Sequence, residues 1–124
     1  MKTILIVEDN EKNMKLARDI LQAKGYATLE ATSGTEGVRL ALQHKPDLVL
    51  MDIQLPDING IDAFERIRAD AATAAVPVVA FTASVTPGDR SRIGDAGFDG
   101  FLSKPINLKE FVETVRRLAG EPTP

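Results

Sequence analysis

Apolar residues are concentrated in short runs that stop abruptly at polar side chains. The clearest runs cover residues 4–7, 48–51, 76–81 and 101–102, and a weaker one covers 27–31. Continuous apolar runs of this length are typical of strands buried on both faces, as in a parallel sheet. The pattern therefore predicts five strands.

Amphipathic segments separate these strands, and their first residues carry helix-capping signals. The predicted helices begin at or just after Asn10, Ser33, Asn59, Thr86 and Asn107. Ser33 is followed three residues later by Glu36, which is the spacing of a capping box. Thr86 precedes a proline, which suits the first position of a helix.

The last predicted helix has the clearest amphipathic pattern. Its inner face would be formed by Leu108, Phe111, Val112, Val115 and Leu118. Gly120 would end it, because glycine favours the position just past a helix. We expect one domain over residues 1–120, a short polar tail over 121–124 and no output domain.

Strands and helices thus alternate as five β-α repeats. That number is too small for a closed eight-stranded barrel, so we expect an open, doubly wound α/β sheet. Crossovers between parallel strands are right-handed, which places helices on both faces of such a sheet.

The composition is that of a small soluble domain. The 124 residues carry a net charge of −3, which does not favour binding to nucleic acid or to anionic membranes through bulk charge. Cysteine is absent, so disulfides and thiolate metal sites are excluded. No apolar stretch reaches membrane-spanning length, and we expect a chain without a signal peptide and a cytoplasmic location.

Polar and charged residues follow four of the predicted strands. Glu8 and Asp9 follow the first strand, Asp52 the third, Thr82 the fourth and Lys104 the fifth. Ligands of open parallel sheets bind beyond the carboxyl ends of the strands, so these side chains should converge on one edge. Each alone has a structural explanation, such as a turn or a solvated charge, and only their shared position indicates a function. Because the clustered carboxylates repel one another, at least one should have a raised pKa.

The side chains at this edge suit metal-assisted phosphoryl transfer to a carboxylate. Oxygen-only ligands favour a hard cation such as Mg²⁺. Asp52 would be the nucleophile that forms an acyl phosphate, and Mg²⁺ would bridge Asp9, Asp52 and a phosphoryl oxygen. Lys104 would supply a second positive charge, and the Thr82 hydroxyl would donate to the attached phosphoryl group.

The order of these residues resembles the receiver domain of bacterial two-component response regulators. The matching motifs are Glu8-Asp9-Asn10, residues 50–56 around Asp52, Gly60, Thr82-Ala83 and Lys104-Pro105. Each motif is weak alone, whereas their order and spacing together are specific. Residues 7–13 are most similar to single-domain DivK-type cell-cycle regulators, and receivers of hybrid histidine kinases share similar stretches.

The resemblance implies the flavodoxin-like receiver fold with strand order 2-1-3-4-5. It implies that a histidine kinase or phosphotransfer protein phosphorylates Asp52. It also implies that Asp9, Asp52 and the backbone carbonyl of Gln54 bind Mg²⁺, with Glu8 acting mainly through water. The Lys104-Pro105 peptide would be cis, which is a conformation almost confined to proline.

The resemblance further implies a phosphorylation-dependent switch. Thr82 and Phe101 would form the switch pair, and Phe101, which lacks the hydroxyl of tyrosine, would be held inward by apolar burial alone. The signal would reach a protein partner through the fourth helix, the fifth strand and the last helix. We therefore expect a signalling switch that assists its own phosphorylation and dephosphorylation, and not an enzyme with an external substrate.

Three other functions share part of this pattern. A phosphohydrolase of the haloacid dehalogenase type needs a second aspartate two residues after the first, where this chain has Gln54. A flavodoxin-like flavin carrier would have hydroxyl groups and glycine in place of Glu8-Asp9-Asn10. A phosphorylation-independent pseudo-receiver has usually lost a site residue, and none is missing from this sequence.

Overall fold

The computed structural model describes residues 1–83 and 87–122. The strands are β1 (Thr3–Val7), β2 (Ala27–Ala31), β3 (Leu48–Met51), β4 (Val78–Thr82) and β5 (Gly100–Ser103). The helices are α1 (Glu11–Ala23), α2 (Gly34–His44), α3 (Gly60–Ala69), α4 (Pro87–Ala96) and α5 (Leu108–Ala119). All strand pairs are parallel and follow the order β2-β1-β3-β4-β5. The predicted α/β class, the alternation of elements and the flavodoxin-like strand order are therefore confirmed.

Burial on both faces of the sheet explains the continuous apolar runs. Alternate residues of a strand point to opposite faces. Ile4 and Ile6 of β1 pack in the cluster that includes α1 and α5, whereas Leu5 and Val7 pack with α2 and α3. All four side chains are completely buried. A strand in this position needs apolar residues at every position, which is the pattern seen in the sequence.

Side-chain caps set the starts of four helices at the predicted positions. The N-cap residues of α1, α2, α3 and α5 are Asn10, Ser33, Asn59 and Asn107. In each case the side-chain oxygen accepts a hydrogen bond from a backbone amide in the first turn, which satisfies a donor that the helix itself leaves free. The predicted cap Thr86 lies outside the described residues. Among the helices described, none is long and apolar enough to cross a membrane.

Two details differ from the prediction. β4 begins at Val78 and not at Val76, because Pro77 has no N–H for the ladder and the amide of Val76 donates to the carbonyl of Thr73 at 3.0 Å. The assignment of Leu108 to the inner face of α5 was wrong, since its exposed fraction is 56%. Leu108 is the first residue of α5 and precedes the buried part of the helix, which starts at Phe111.

Candidate functional site

The backbone of the sheet brings the predicted site residues to one edge. The amide of Asp52 donates to the carbonyl of Val7 at 3.0 Å, and the amide of Lys104 donates to the carbonyl of Thr82 at 3.0 Å. These hydrogen bonds extend the parallel ladders by one residue beyond β3 and β5. The carboxyl ends of the strands are therefore level, and residues far apart in sequence meet at the same edge.

Glu8, Asp9 and Asp52 form the acidic cluster of the site. One carboxylate oxygen from each residue lies within 4.8 Å of the other two. Glu8 and Asp52 are buried, with 0% and 4% of their surface exposed, and Asp9 is open to solvent. A cluster of oxygen donors with one solvent-exposed side suits Mg²⁺, which is usually bound by one or two carboxylates and several waters. The residues present therefore fit the predicted cation.

Lys104 lies between the two buried carboxylates. Its Nζ is 3.0 Å from Oδ2 of Asp52 and also contacts Oε1 of Glu8. The side chain is only 7% exposed, and its ammonium lies 4.9 Å from the centre of the Phe81 ring. A single buried ammonium is thus shared by two buried carboxyl groups, and the aromatic ring adds a cation–π contact. The Lys104-Pro105 peptide is cis, as predicted.

The surroundings of Glu8 raise the pKa of its carboxyl group to about 7. Burial is the largest cause, and the negative charge of Asp52 raises the pKa further. The ammonium of Lys104 and the amide of Asn10, which donates to Oε2 at 3.1 Å, act in the opposite direction. The expectation of a raised pKa is confirmed, but the main cause is loss of hydration and not repulsion within the cluster.

The loop after β3 completes the site around Asp52. The exposed residue Gln54 donates its backbone amide to Oδ1 of Asp52 at 3.1 Å. Gly60, at the start of α3, packs directly on the backbone of Asp52. A Cβ at this position would overlap the carbonyl oxygen of Asp52 and lie 2.9 Å from its carbonyl carbon. The glycine of the motif is therefore required by close contact between α3 and the residue at the end of β3.

Thr82 and Phe101, the predicted switch pair, lie on adjacent strands. Thr82 is 2% exposed, and among residues 1–83 and 87–122 its Oγ1 has no hydrogen-bond partner. Phe101 is half-buried and packs at the edge of the cluster around Ile53. The guanidinium carbon of Arg90 lies 5.2 Å from the centre of the Phe101 ring. In this conformation a cation of α4 therefore covers the ring.

This combination of a (βα)5 sheet and an acidic edge defines a known class of protein. The family model for the response regulator receiver domain matches residues 4–116. The chain therefore belongs to the response regulator receiver family, whose members are signalling switches of two-component systems and not classical enzymes. Membership implies that a histidine kinase or a phosphotransfer protein is a partner.

The chain is also similar to individual response regulators and to solved receiver structures. The polar-differentiation response regulator DivK of Brucella ovis is 44% identical over 120 residues, which cover 97% of this chain and 98% of that protein. The receiver domain of the sensor histidine kinase PA1611 from Pseudomonas aeruginosa has 34% identity and a TM-score of 0.89, with 97% and 98% of the two chains covered. That structure has a magnesium ion coordinated in its active site cleft. A receiver domain of a histidine kinase from Syntrophus aciditrophicus has 29% identity and a TM-score of 0.89, with 96% and 90% covered. The predicted similarity to DivK is confirmed.

Proposed function

We propose that this chain is a stand-alone response regulator in which Asp52 accepts a phosphoryl group from a histidine kinase or a phosphotransfer protein. The placement of Asp52 carries the proposal. It is buried at the end of β3, close to two further carboxylates and 3.0 Å from the ammonium of Lys104. An acceptor carboxylate in this setting is oriented by its neighbours and has positive charge available for the incoming group.

The transfer itself is a nucleophilic displacement at phosphorus. One carboxylate oxygen of Asp52 attacks the phosphorus of a phosphohistidine, and the new P–O bond forms as the P–N bond breaks. The imidazole nitrogen leaves with the electron pair of that bond and takes a proton from solvent. Lys104 binds the negative oxygens of the transferred group, and the Thr82 hydroxyl donates a hydrogen bond to one of them.

Four residues are suited to hold Mg²⁺ during this reaction. Asp9, Asp52 and the backbone carbonyl of Gln54 would be direct ligands, and Glu8 would act mainly through water. Bound Mg²⁺ offsets the charge of the carboxylates and of the phosphoryl oxygens. The spacing of the three carboxylates supports this assignment, as does the magnesium site of the PA1611 receiver.

Phosphorylation would change the protein-binding face formed by α4, β5 and α5. The half-buried ring of Phe101 lies on β5, and Arg90 of α4 covers it, so a movement of this ring would alter the contact between the two elements. A ligand that favours one of two ring positions shifts their populations. We propose a protein as the downstream target, because the net charge of −3 does not favour nucleic acid.

A second candidate is a receiver that belongs to a hybrid histidine kinase. The similarity to the PA1611 receiver favours it, since that domain is part of a sensor kinase. The match to DivK over 98% of that protein's length favours the stand-alone form. The chemistry at Asp52 is the same in both candidates. Phosphotransfer profiling against the histidine kinases and phosphotransfer proteins of the host separates them by identifying the donor.

The acceptor assignment is tested by phosphorylation with a small acyl phosphate. Intact mass should show one added phosphoryl group in the presence of Mg²⁺, and none with chelator or in the Asp52→Ala variant. Asp62→Ala is the matched control, since it removes an exposed aspartate of α3 and should leave the labelling unchanged. Undiminished labelling of Asp52→Ala would refute the assignment.

The switching face is tested by backbone amide chemical shifts before and after addition of a phosphoryl mimic such as beryllofluoride. We expect shifts at the metal loops and also at Phe101 and in α5. Shifts confined to the metal loops would contradict the proposed face. Salt-dependent binding to duplex DNA in the phosphorylated state would contradict a purely protein-directed output.

A further inference from the structure

An aspartate outside the predicted site fastens the metal loop to a neighbouring helix. The loop between β3 and α3 covers residues 52–59 and contains both Asp52 and Gln54. Asp57 of this loop extends towards α2, where its Oδ1 accepts a hydrogen bond from the amide of Gly34 at 2.8 Å. Its Oδ2 accepts a second hydrogen bond from the amide of Thr35 at 2.9 Å. One side chain therefore binds the first two amides of α2.

These hydrogen bonds do more than cap a helix. α2 already has its own N-cap, because the Ser33 hydroxyl oxygen accepts a hydrogen bond from the amide of Glu36 at 3.2 Å. Asp57 is 22 residues away from Thr35, so its hydrogen bonds join two separate segments of the chain. The hydroxyl and the amide of Thr35 hold the pKa of Asp57 well below its ordinary value, because their hydrogen bonds stabilise the ionised carboxylate.

Close packing holds the two ends of the loop, whereas Asp57 itself is exposed. A Cβ at Gly34 would overlap the Ile58 side chain and lie 3.3 Å from the Ile58 carbonyl oxygen, so α2 lies directly against the loop. At the other end, Gly60 packs on the backbone of Asp52 with no room for a Cβ. The loop is thus held at its start and at its end, and Asp57 is the polar attachment between them.

We propose that Asp57 is a positioning residue for the metal site. By attaching the loop to α2, it limits the movement of the Gln54 backbone relative to the carboxylate of Asp52, and these two groups would both hold Mg²⁺. This inference rests on the proposed function, in which the Gln54 carbonyl is a metal ligand. Removing a residue that orients a metal ligand typically weakens metal binding by about 10–100-fold. Because Asp57 acts through the backbone, we expect the lower end of that range.

The test compares two variants that both weaken the N-terminus of α2. Asp57→Ala removes the attachment and Ser33→Ala removes only the helix's own cap. Mg²⁺ is titrated into each protein by calorimetry, and urea unfolding gives the stability of each. We expect the Mg²⁺ dissociation constant to rise about tenfold in Asp57→Ala and less than about twofold in Ser33→Ala. Asp57→Asn keeps one acceptor oxygen and should fall between Asp57→Ala and the parent.

A second readout does not depend on the metal. In metal-free protein, the backbone amide resonance of Gln54 should shift in Asp57→Ala and stay in place in Ser33→Ala. Equal Mg²⁺ affinities for the two variants would overturn the inference and leave Asp57 as a helix cap only. A parent protein that binds no Mg²⁺ in the same titration would overturn the proposed function, and with it the role of Gln54 on which the inference rests.

Discussion

Replacement of Lys104 by methionine tests whether one buried ammonium stabilises the whole acidic cluster. Methionine has a similar length and no charge, so the change removes the ion pairs with little change in packing. At the 3.0 Å separation from Asp52 and an effective dielectric constant of about 20, the gross attraction is roughly 5–6 kcal/mol. The loss of hydration of the buried ammonium offsets part of this attraction. Removing one partner of a buried ion pair usually costs about 3–5 kcal/mol in total.

The pKa of Glu8 determines where the loss of stability in Lys104→Met falls between about 3 and 5 kcal/mol. In the parent protein this pKa is raised to about 7, so Glu8 can take up a proton near neutral pH at little cost. Lys104 lowers this pKa, so we expect it to rise further in the variant and Glu8 to be mostly neutral at pH 7. Only Asp52 is then left as a buried anion without its cation. We therefore expect Lys104→Met to lose about 3 kcal/mol at pH 7, at the lower end of the range.

The difference in stability between the parent and Lys104→Met should grow above neutral pH, and the sign of this change follows from the raised pKa of Glu8. An acid with a raised folded pKa stabilises the protein below its unfolded pKa, and this stabilisation is lost as pH rises through the folded value. In the parent, this stabilisation by protonated Glu8 has almost disappeared once the pH exceeds about 7. In Lys104→Met, where the pKa of Glu8 is higher, the protein continues to lose up to about 1.4 kcal/mol of stability for each further pH unit.

Urea unfolding followed by circular dichroism, in chelator at pH 6, 7 and 8, measures these differences. Lys109→Met is the control, since it removes an exposed lysine of α5. The reasoning is refuted if Lys104→Met is as stable as the control variant at pH 7. It is also refuted if the gap between Lys104→Met and the parent does not widen from pH 7 to pH 8.

Three further changes have defined outcomes. Gly60→Ala forces a methyl group against the Asp52 carbonyl, so the free energy of unfolding measured in urea should fall by about 3 kcal/mol. A decrease of less than about 1 kcal/mol would show that the backbone moves to make room for the methyl group. Asp52→Asn removes a charge that raises the pKa of Glu8, so carboxyl carbon NMR should find that pKa lower than in the parent, and an unchanged value would contradict the coupling. Arg68→Ala removes the 2.7 Å ion pair with Asp99 and two hydrogen bonds to backbone carbonyls, so it should lower the free energy of unfolding by about 2 kcal/mol. A decrease of less than about 0.5 kcal/mol would mean that these contacts are no stronger than an ordinary surface ion pair.

The position of the site could be predicted because it depends only on where strands end. Parallel ladders bring the carboxyl ends of neighbouring strands to the same edge whatever their separation in sequence. Asp52 follows an apolar run directly, and Asp9 and Lys104 follow theirs after one intervening residue, so the prediction needed no knowledge of side-chain conformation. The same holds for Ser33 and Asn107, whose capping roles depend on local sequence alone.

Features that depend on the path of a loop could not be predicted in this way. The sequence does not indicate that Lys104 contacts Glu8 as well as Asp52, because that choice depends on the direction of its side chain after β5. Asp57 follows a proline in a turn-rich segment, which is typical of many loops and does not indicate a contact with α2. Burial as the main cause of the raised pKa of Glu8 likewise requires the packed structure.

One buried hydroxyl indicates how much free energy the proposed switch has available. Thr82 is 2% exposed, and its Oγ1 has no hydrogen-bond partner within the described part of the chain. A buried hydroxyl without a partner costs about 1–3 kcal/mol. In the proposed function this cost is recovered when the hydroxyl donates to a phosphoryl oxygen on Asp52, and so it is recovered only in the phosphorylated form. A free energy of about 1–3 kcal/mol shifts an equilibrium by roughly 5–150-fold. Phe101 is half-buried on the strand next to Thr82, so the proposed switch pair lies beside the hydroxyl whose hydrogen bonding changes. A free-energy difference of this size is sufficient to shift the populations of two conformations of that pair.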